Sequence, residues 1–272
     1  MDAKLLIEQF LNFPIDSSNE VIAFFAQLPG AVCKKGNRPL EQFVYVPGSR
    51  KDRVLLVAHA DTVWHSCYGN PQTAQLKYEN GVFSSDSELC GIGADDRAGC
   101  AMVWALQNTG HSLLIVDGEE KGKHGARYLR KHHRKLFREI NRHRFILEMD
   151  WAGTNGCLYN QVDNSDAFKA YILKHTGFID SQKKGGCDLQ ILCRKICGAN
   201  MATGWHFCHS PNETLVVSEW ENTYNILNDF LAKSHPRFPI PLKYRARRFL
   251  SACKALAVHI LRKLKLLPTK HA

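Results

Sequence analysis

The segment from Leu113 to Ala126, LLIVDGEEKGKHGA, joins an apolar run to two adjacent glutamates through an Asp-Gly turn signal. The run LLIV predicts a buried β-strand, because it is short, apolar and bounded by turn residues. Glu119 and Glu120 follow the turn directly, and neighbouring carboxylates repel each other, more so when they are partly buried. The pair therefore indicates either a solvated turn or a site that receives a cation.

Polar residues follow other predicted elements in the same way. They are His59 and Asp61 after VLLVA, Asp150 at the end of FILEMD, Asp95 and Asp96 in GADDRAG ahead of a helix, and His209 after the last strand. Ligands of α/β sheets bind beyond the carboxyl ends of the strands. Each residue alone has an ordinary explanation, as a loop histidine or an N-cap aspartate. Their recurrence at one edge of one sheet favours a metal or catalytic site.

Strands alternate with helices along the chain. Strands are predicted at 42–46, 52–58, 113–116, 145–149 and 199–202, a hairpin at 76–84, and helices at 3–12, 18–27, 96–108, 125–136, 166–174, 186–193 and 219–233. This order predicts an α/β fold, a three-layer sandwich with a mostly parallel central sheet flanked by helices.

The composition fits one large globular domain followed by a basic tail. The chain has 272 residues, 44% of them hydrophobic, and a net charge of +10. Residues 235–272 contain ten Lys or Arg and no Asp or Glu, so residues 1–234 contain 26 of each sign. We therefore predict a main globular domain at 1–234 and a basic amphipathic tail at 235–272. No apolar run reaches eighteen residues, and the first residues lack the pattern of a signal peptide, so a cytoplasmic location is expected.

Two segments are strongly basic. Residues 121–144 hold ten Lys or Arg against one Glu, and we interpret them as a solvated helix face. The tail has apolar residues at helical spacing, which suits an anionic membrane surface, a protein partner, or packing on its own domain. If the tail binds an anionic membrane surface, the protein would be a peripheral membrane protein. Nucleic acid binding is not favoured, because Tyr244 and Phe249 are the only aromatic residues after 241.

The ten cysteines are predicted to be reduced, given their irregular spacing and the absence of a secretion signal. Cys193 and Cys197 lack a second matching pair, which argues against a structural zinc site. Cys208 is interpreted as a packing residue.

Taken in order, the HxD motif, GADDRAG, the paired glutamates, the strand-end Asp150 and HSPNE resemble the co-catalytic zinc exopeptidase superfamily. The pattern is most similar to tripeptide and glutamyl aminopeptidases and related deacylases, over about residues 54–215. The resemblance implies two divalent metal ions. Zn²⁺ is the expected ion, and Co²⁺ and Mn²⁺ also suit such ligands. Many relatives insert a lid domain, but only 58 residues separate Asp150 from His209, so a single catalytic domain is expected.

The resemblance also implies a role for each motif residue. His59, Asp95 and Asp150 would hold the first ion, and Asp95, Glu120 and His209 the second. Asp95 is preferred to Asp96 as the bridge because Gly99 follows it in a D-x-[KR]-x-G motif, and Asp96 would then cap the helix. Glu119 would be the general base, and Asp61 would orient His59.

Substrate contacts are predicted at three further positions. Asp188, in GGCDLQIL, would hold a free amino group or support the site, and Thr203 and Gly204 would offer backbone groups. Ordinary packing remains an equal alternative for each of them.

The resemblance implies a binuclear metal-dependent amide hydrolase, most simply an aminopeptidase that acts on short peptides. An N-acyl amino acid deacylase on the same fold is the alternative. An inactive metal-binding protein, or a protein that binds nucleic acid or a membrane, is a further possibility, but the complete set of motif residues argues against lost activity.

Overall fold

The computed structural model describes residues 2–69, 75–159, 162–183 and 185–263. The α-helices in this part of the chain are α1 (Ala3–Leu11), α2 (Asn19–Ala26), α3 (Ala94–Ala105), α4 (His124–His132), α5 (Arg134–Ile140), α6 (Asp166–Thr176), α7 (Leu189–Leu192), α8 (Val217–Leu231) and α9 (Leu242–Lys263). The strands are β1 (Val32–Lys35), β2 (Gln42–Val46), β3 (Leu55–His59), β4 (Leu76–Glu79), β5 (Val82–Ser85), β6 (Ser112–Val116), β7 (Ile146–Trp151), β8 (Gly156–Leu158), β9 (Ile179–Asp180), β10 (Gly198–Ala202), β11 (Trp205–His206) and β12 (Thr214–Val216).

The central sheet has the strand order β1-β2-β6-β3-β7-β10-β8-β9. Its middle strands, β6, β3, β7 and β10, are parallel, while β1, β2 and β8 join antiparallel. Strands β3 and β6 are fully buried, which suits a sheet with helices on both faces. Helices α1, α3 and α8 pack together on one side, and α4, α5 and α7 belong to the other. The predicted three-layer α/β fold is confirmed.

A smaller sheet, β11-β12-β5-β4, lies beside the loop that carries His209. It contains the predicted hairpin, in which Lys77 pairs with Ser84. Strand β12 pairs with β5 immediately after that loop, so the small sheet fixes both its ends.

Local differences from the predicted elements have physical reasons. The helix predicted at 125–136 is two helices, because His133 leaves helical geometry with φ −115° and ψ 53°. Helix 186–193 shortens to α7. Strand β1 was missed because all four of its residues are exposed at the sheet edge and show no apolar pattern.

The segment after residue 234 does not separate from the domain where the charge pattern changes. The Phe238 amide donates to the Arg144 carbonyl, the Cys197 amide donates to the Phe238 carbonyl, and Ile240 is fully buried. Residues 235–240, which lie inside the predicted tail at 235–272, therefore pack on the domain. None of the helices in the described residues is both long and apolar enough to cross a membrane.

Candidate metal centre

The first cluster of predicted ligands forms where three elements meet. His59 ends β3, Asp150 lies near the end of β7, and Asp95 begins α3. The His59 Nε2 atom lies 3.2 Å from Asp95 Oδ1 and 3.5 Å from Asp150 Oδ1. All three residues are buried.

A second cluster shares Asp95 with the first. The His209 Nε2 atom lies 3.3 Å from Asp95 Oδ2 and 3.0 Å from Glu120 Oε2. The two carboxylate oxygens of Asp95 therefore face different histidines. His209 has a left-handed backbone, with φ 60°, a conformation that non-glycine residues adopt rarely.

The charges of this region fit divalent cations. Burial and the nearby Asp95 raise the pKa of Glu120 to about 7, and the same two causes raise the pKa of Asp150 well above its usual value. Burial alone would lower the pKa of His59, but its hydrogen bonds to carboxylates raise it instead. Imidazole nitrogens and carboxylate oxygens are ligands of zinc and related metals. Bound cations would offset the repulsion between the crowded acids.

Asp96 has a different environment from its neighbour. Its Oδ2 atom accepts the His59 amide at 3.0 Å, and its Oδ1 atom accepts the Gly99 amide at the same distance. Asp96 thus caps the regular part of α3 and links it to β3, which is the helix-capping role expected from the sequence. Gly99 is required for the close contact of α3 with Asp96 and with β7, because a Cβ atom there would overlap the Asp96 Oδ1 atom and the Met149 carbonyl oxygen.

Asp61 connects the histidine to the paired glutamates. Its carboxylate accepts the amides of Glu119 and Glu120 at 3.0 and 3.2 Å, and the Tyr68 hydroxyl at 2.7 Å. The His59 Nδ1 atom lies 3.0 Å from the Asp61 backbone carbonyl and 3.4 Å from its carboxylate. The ring is therefore oriented mainly by the carbonyl, and the carboxylate mainly holds the glutamate loop.

Glu119 does not approach either histidine in the same way as Glu120. Its Oε1 atom lies 2.7 Å from the Lys123 ammonium, and both side chains are largely buried. Burial raises the pKa of Glu119, and Lys123 counteracts this. Lys123 is part of the basic segment that was interpreted as a solvated face; for this residue the interpretation is wrong.

The three predicted substrate residues differ in what they offer. Asp188 is fully buried, and no side-chain hydrogen bond to either of its oxygens is found in the described part of the chain. The Thr203 amide donates to Trp151 and the Gly204 amide to Gly153, both within 3 Å. These two amides are therefore unavailable to a substrate, and the Gly204 carbonyl already accepts the Val216 amide, so the Thr203 carbonyl is the predicted backbone group that remains.

Two residues without a predicted role position the ligands. Glu213 is buried and accepts the amides of Gly93 and Asp95 at 2.7 and 3.0 Å, which ties the His209 loop to the start of α3. Asn200 accepts the Asp150 amide at 2.8 Å and donates back to its carbonyl. Glu213 could have been found from the sequence, because it is the glutamate of the HSPNE motif. Asn200 lies inside a strand and belongs to no motif that would have indicated its role.

Cys208 packs against the hydrophobic core, as predicted, and it also lies beside the candidate site. Its Sγ atom belongs to a group, with Asp95 and His209, whose potential ligand atoms all lie within 4.8 Å of one another. Cys193 and Cys197 are buried in the core, and no disulfide joins any of the cysteines in the described residues.

Fold and clusters together suit a metal-dependent hydrolase, with its candidate site at the carboxyl edge of a mixed sheet. The chain belongs to Peptidase family M28, whose family model matches residues 43–184, just over half of its length. It is accordingly a metal-dependent peptidase. No curated protein sequence matches the chain.

Several solved structures share the fold at low sequence identity. The aminopeptidase PepT from Bacillus cereus is 14% identical with a TM-score of 0.63, and the match covers 85% of this chain and 98% of that one. A tripeptidase from Staphylococcus aureus is 12% identical with a TM-score of 0.56, covering 85% and 97%. An aminopeptidase from the archaeon Desulfurococcus kamchatkensis is 11% identical with a TM-score of 0.58, covering 86% and 96%.

Proposed function

We propose that the protein is a binuclear metallo-aminopeptidase that releases N-terminal residues from short peptides. The observation that carries the proposal is the orientation of Asp95, whose two oxygens face the two histidine clusters. A carboxylate so placed suits a bridge between two ions, which in two-metal hydrolytic sites lie about 3.5–4 Å apart. The names of the structural neighbours, which include aminopeptidases and a tripeptidase, agree with this substrate class.

The ligand set follows the two clusters. His59 and Asp150 would hold one ion, Glu120 and His209 the other, and Asp95 both. We propose Zn²⁺ as the ion, with Co²⁺ and Mn²⁺ as substitutes that suit the same donors. Metal ions in such a site polarise the scissile carbonyl and make water more acidic.

Glu119 is proposed as the general base. It would take a proton from the attacking water and return it to the leaving amine. Lys123, 2.7 Å from Glu119, would keep the carboxylate ionised and hold its direction. Asp61 fixes the backbone of the same loop, so the base is held from both its main chain and its side chain.

One observation favours a second candidate, an N-acyl amino acid deacylase. The Lys123 ammonium lies next to the proposed base and would oppose the charged amino group of a peptide. It would instead attract a substrate carboxylate. The buried carboxylate of Asp188 is close enough to raise the pKa of Lys123. Its negative charge would attract the amino group of a peptide and so favours the aminopeptidase. The two candidates thus differ in the charge that the substrate presents to this pair.

A substrate panel distinguishes them. Metal-loaded protein would be assayed on aminoacyl amides, di- and tripeptides, and the same peptides with an acetylated N-terminus. The aminopeptidase proposal expects turnover of the free peptides and none of the acetylated ones. Preferential turnover of N-acyl amino acids would reverse the assignment, and inactivity on every substrate with two ions bound would refute both.

A further inference from the structure

A group of cations lies at the opposite edge of the central sheet from the metal centre. Arg53 stands shortly before β3 and Arg144 shortly before β7, at the amino ends of neighbouring parallel strands. The Arg144 amide donates to the Arg53 carbonyl at 2.8 Å, so the main chain fixes the two arginines side by side. The metal ligands leave the carboxyl ends of the same strands.

A cavity of about 140 Å³ opens between these two strand starts. Its lining residues are Lys51, Arg53, Glu139, Arg142, His143 and Arg144. Lys51 and Arg142 are exposed at its rim, and Arg53 and Arg144 are partly buried. Four permanent positive charges thus surround one carboxylate.

That carboxylate does not balance the group. Glu139 Oε1 lies 3.9 Å from the Arg53 guanidinium and accepts the Tyr45 hydroxyl at 3.2 Å. Lys51, Arg142 and Arg144 make no ion pair within the described residues. Like charges held together are unfavourable, so the cavity has an excess of positive charge that an anion would neutralise.

The donors of the cavity are also incompletely used. The buried Nε atoms of Arg53 and Arg144 have no hydrogen-bond partner in the part of the chain that the structure describes. A buried donor without a partner is costly, whereas two guanidinium groups offer a phosphate several charge-assisted hydrogen bonds. His143 adds nothing to the charge at neutral pH, because burial lowers its pKa to about 4.

We propose that this basic cavity binds a phosphate monoester, carried either by a soluble molecule or by a lipid headgroup. Arginine forks match the geometry of phosphate oxygens, and the two exposed cations would meet the rest of the anion. Because the cavity and the metal centre lie at opposite edges of the sheet, binding here needs no contact with the site of hydrolysis. The segment that leads to α9 passes beside this cavity, since the Phe238 amide donates to the Arg144 carbonyl.

Calorimetric titration of the metal-loaded full-length protein with inositol hexakisphosphate tests the proposal. The double variant Lys51→Gln/Arg142→Gln removes two rim charges whose side chains have no hydrogen bond or ion pair among the described residues, so the fold should be retained. The matched control, Lys77→Gln/Lys174→Gln, removes two exposed charges elsewhere. The rim variant should bind at least about tenfold more weakly, since each lost charge-assisted contact matters. The control should bind like the wild type.

Two further measurements show where the anion binds and whether it is a soluble molecule or a lipid headgroup. A Glu120→Gln variant, altered only at the metal centre, should keep the binding. Vesicles containing phosphatidylinositol phosphates, compared with phosphatidylserine vesicles of equal charge, show whether the anion is a headgroup: a preference for the former identifies the lipid, and equal weak binding identifies a soluble ligand. Absence of binding to the wild type, or equal loss in the rim and control variants, would overturn the proposal.

Discussion

The paired glutamates should respond differently to the same chemical change. Glu120 Oε2 lies 3.0 Å from the His209 ring, whereas the nearest charged partner of Glu119 is Lys123, at 2.7 Å. Substitution by glutamine keeps the size of each side chain and removes its negative charge. We expect Glu119→Gln to retain both ions and lose turnover, and Glu120→Gln to lose metal as well.

The magnitude for Glu119→Gln follows from its proposed role. A positioned general base contributes roughly a hundredfold to ten-thousandfold in rate, which corresponds to about 3–5 kcal/mol in the activation free energy. The backbone of the loop should not move, because the Asp61 carboxylate accepts the amides of both glutamates whatever their side chains are. KM should therefore change much less than kcat.

Metal stoichiometry by elemental analysis and turnover under metal saturation would be measured on both variants. Glu221→Gln, an exposed glutamate on α8, is the matched control and should behave like the wild type. Equal metal loss in the Glu119 and Glu120 variants would refute the division of roles. So would a Glu119→Gln enzyme that keeps its full turnover.

Three further predictions concern other parts of the molecule. Asp95→Asn should weaken both ions while His59→Ala weakens one, and competition with a metal chelator would show this; loss of a single ion in both variants would contradict the bridge. Burial lowers the pKa of His143 from its ordinary 6.5 to about 4, so the unfolded chain binds the extra proton first; the stabilising contribution is present above pH 6.5 and is lost as the pH falls to about 4. Urea unfolding of the wild type should lose about 3 kcal/mol more than that of His143→Gln over this range, and parallel pH profiles would exclude the effect. Truncation after Pro241 spares the buried Ile240 and removes the Tyr244 packing and the Arg247–Asp163 ion pair of α9, yet it should leave turnover of small peptides unchanged and abolish binding to phosphatidylserine vesicles. Lost turnover, or unchanged binding to those vesicles, would contradict this expectation.

Most of the fold and the proximity of the proposed ligands could be predicted because both depend on local signals. Apolar runs such as LLIV mark buried strands, and the residues that follow them meet at one sheet edge whatever the rest of the chain does. The choice between Asp95 and Asp96 depends on backbone geometry at the start of α3, which residue types do not encode. There the two carboxylates point to different partners, Asp96 to the His59 amide and Asp95 to the His59 ring.

What the sequence did not show depends on contacts between distant segments. Glu213 holds the Asp95 loop across 118 residues of chain, and its role appears only when the two loops are adjacent. Lys123 lies within a run of basic residues that resembles an ordinary solvated helix, but a left-handed backbone with φ 59° places it at the very start of α4 and beside Glu119. The cavity between Arg53 and Arg144 likewise arises from strand pairing, not from neighbourhood in the chain.

The hydrogen bonds of Asp61 couple the loop of the proposed base to the candidate metal site. Its main chain touches the ring of a proposed ligand, while its side chain grips the backbone of the loop that carries the base. Thermal displacement of one loop therefore carries the other along, and the spacing between base and cations varies less than either position does. An alteration at Asp61 would remove neither a ligand nor a base; it would let the two drift independently, so that an enzyme with full metal content and an intact Glu119 would still bring water and carbonyl together at the wrong separation.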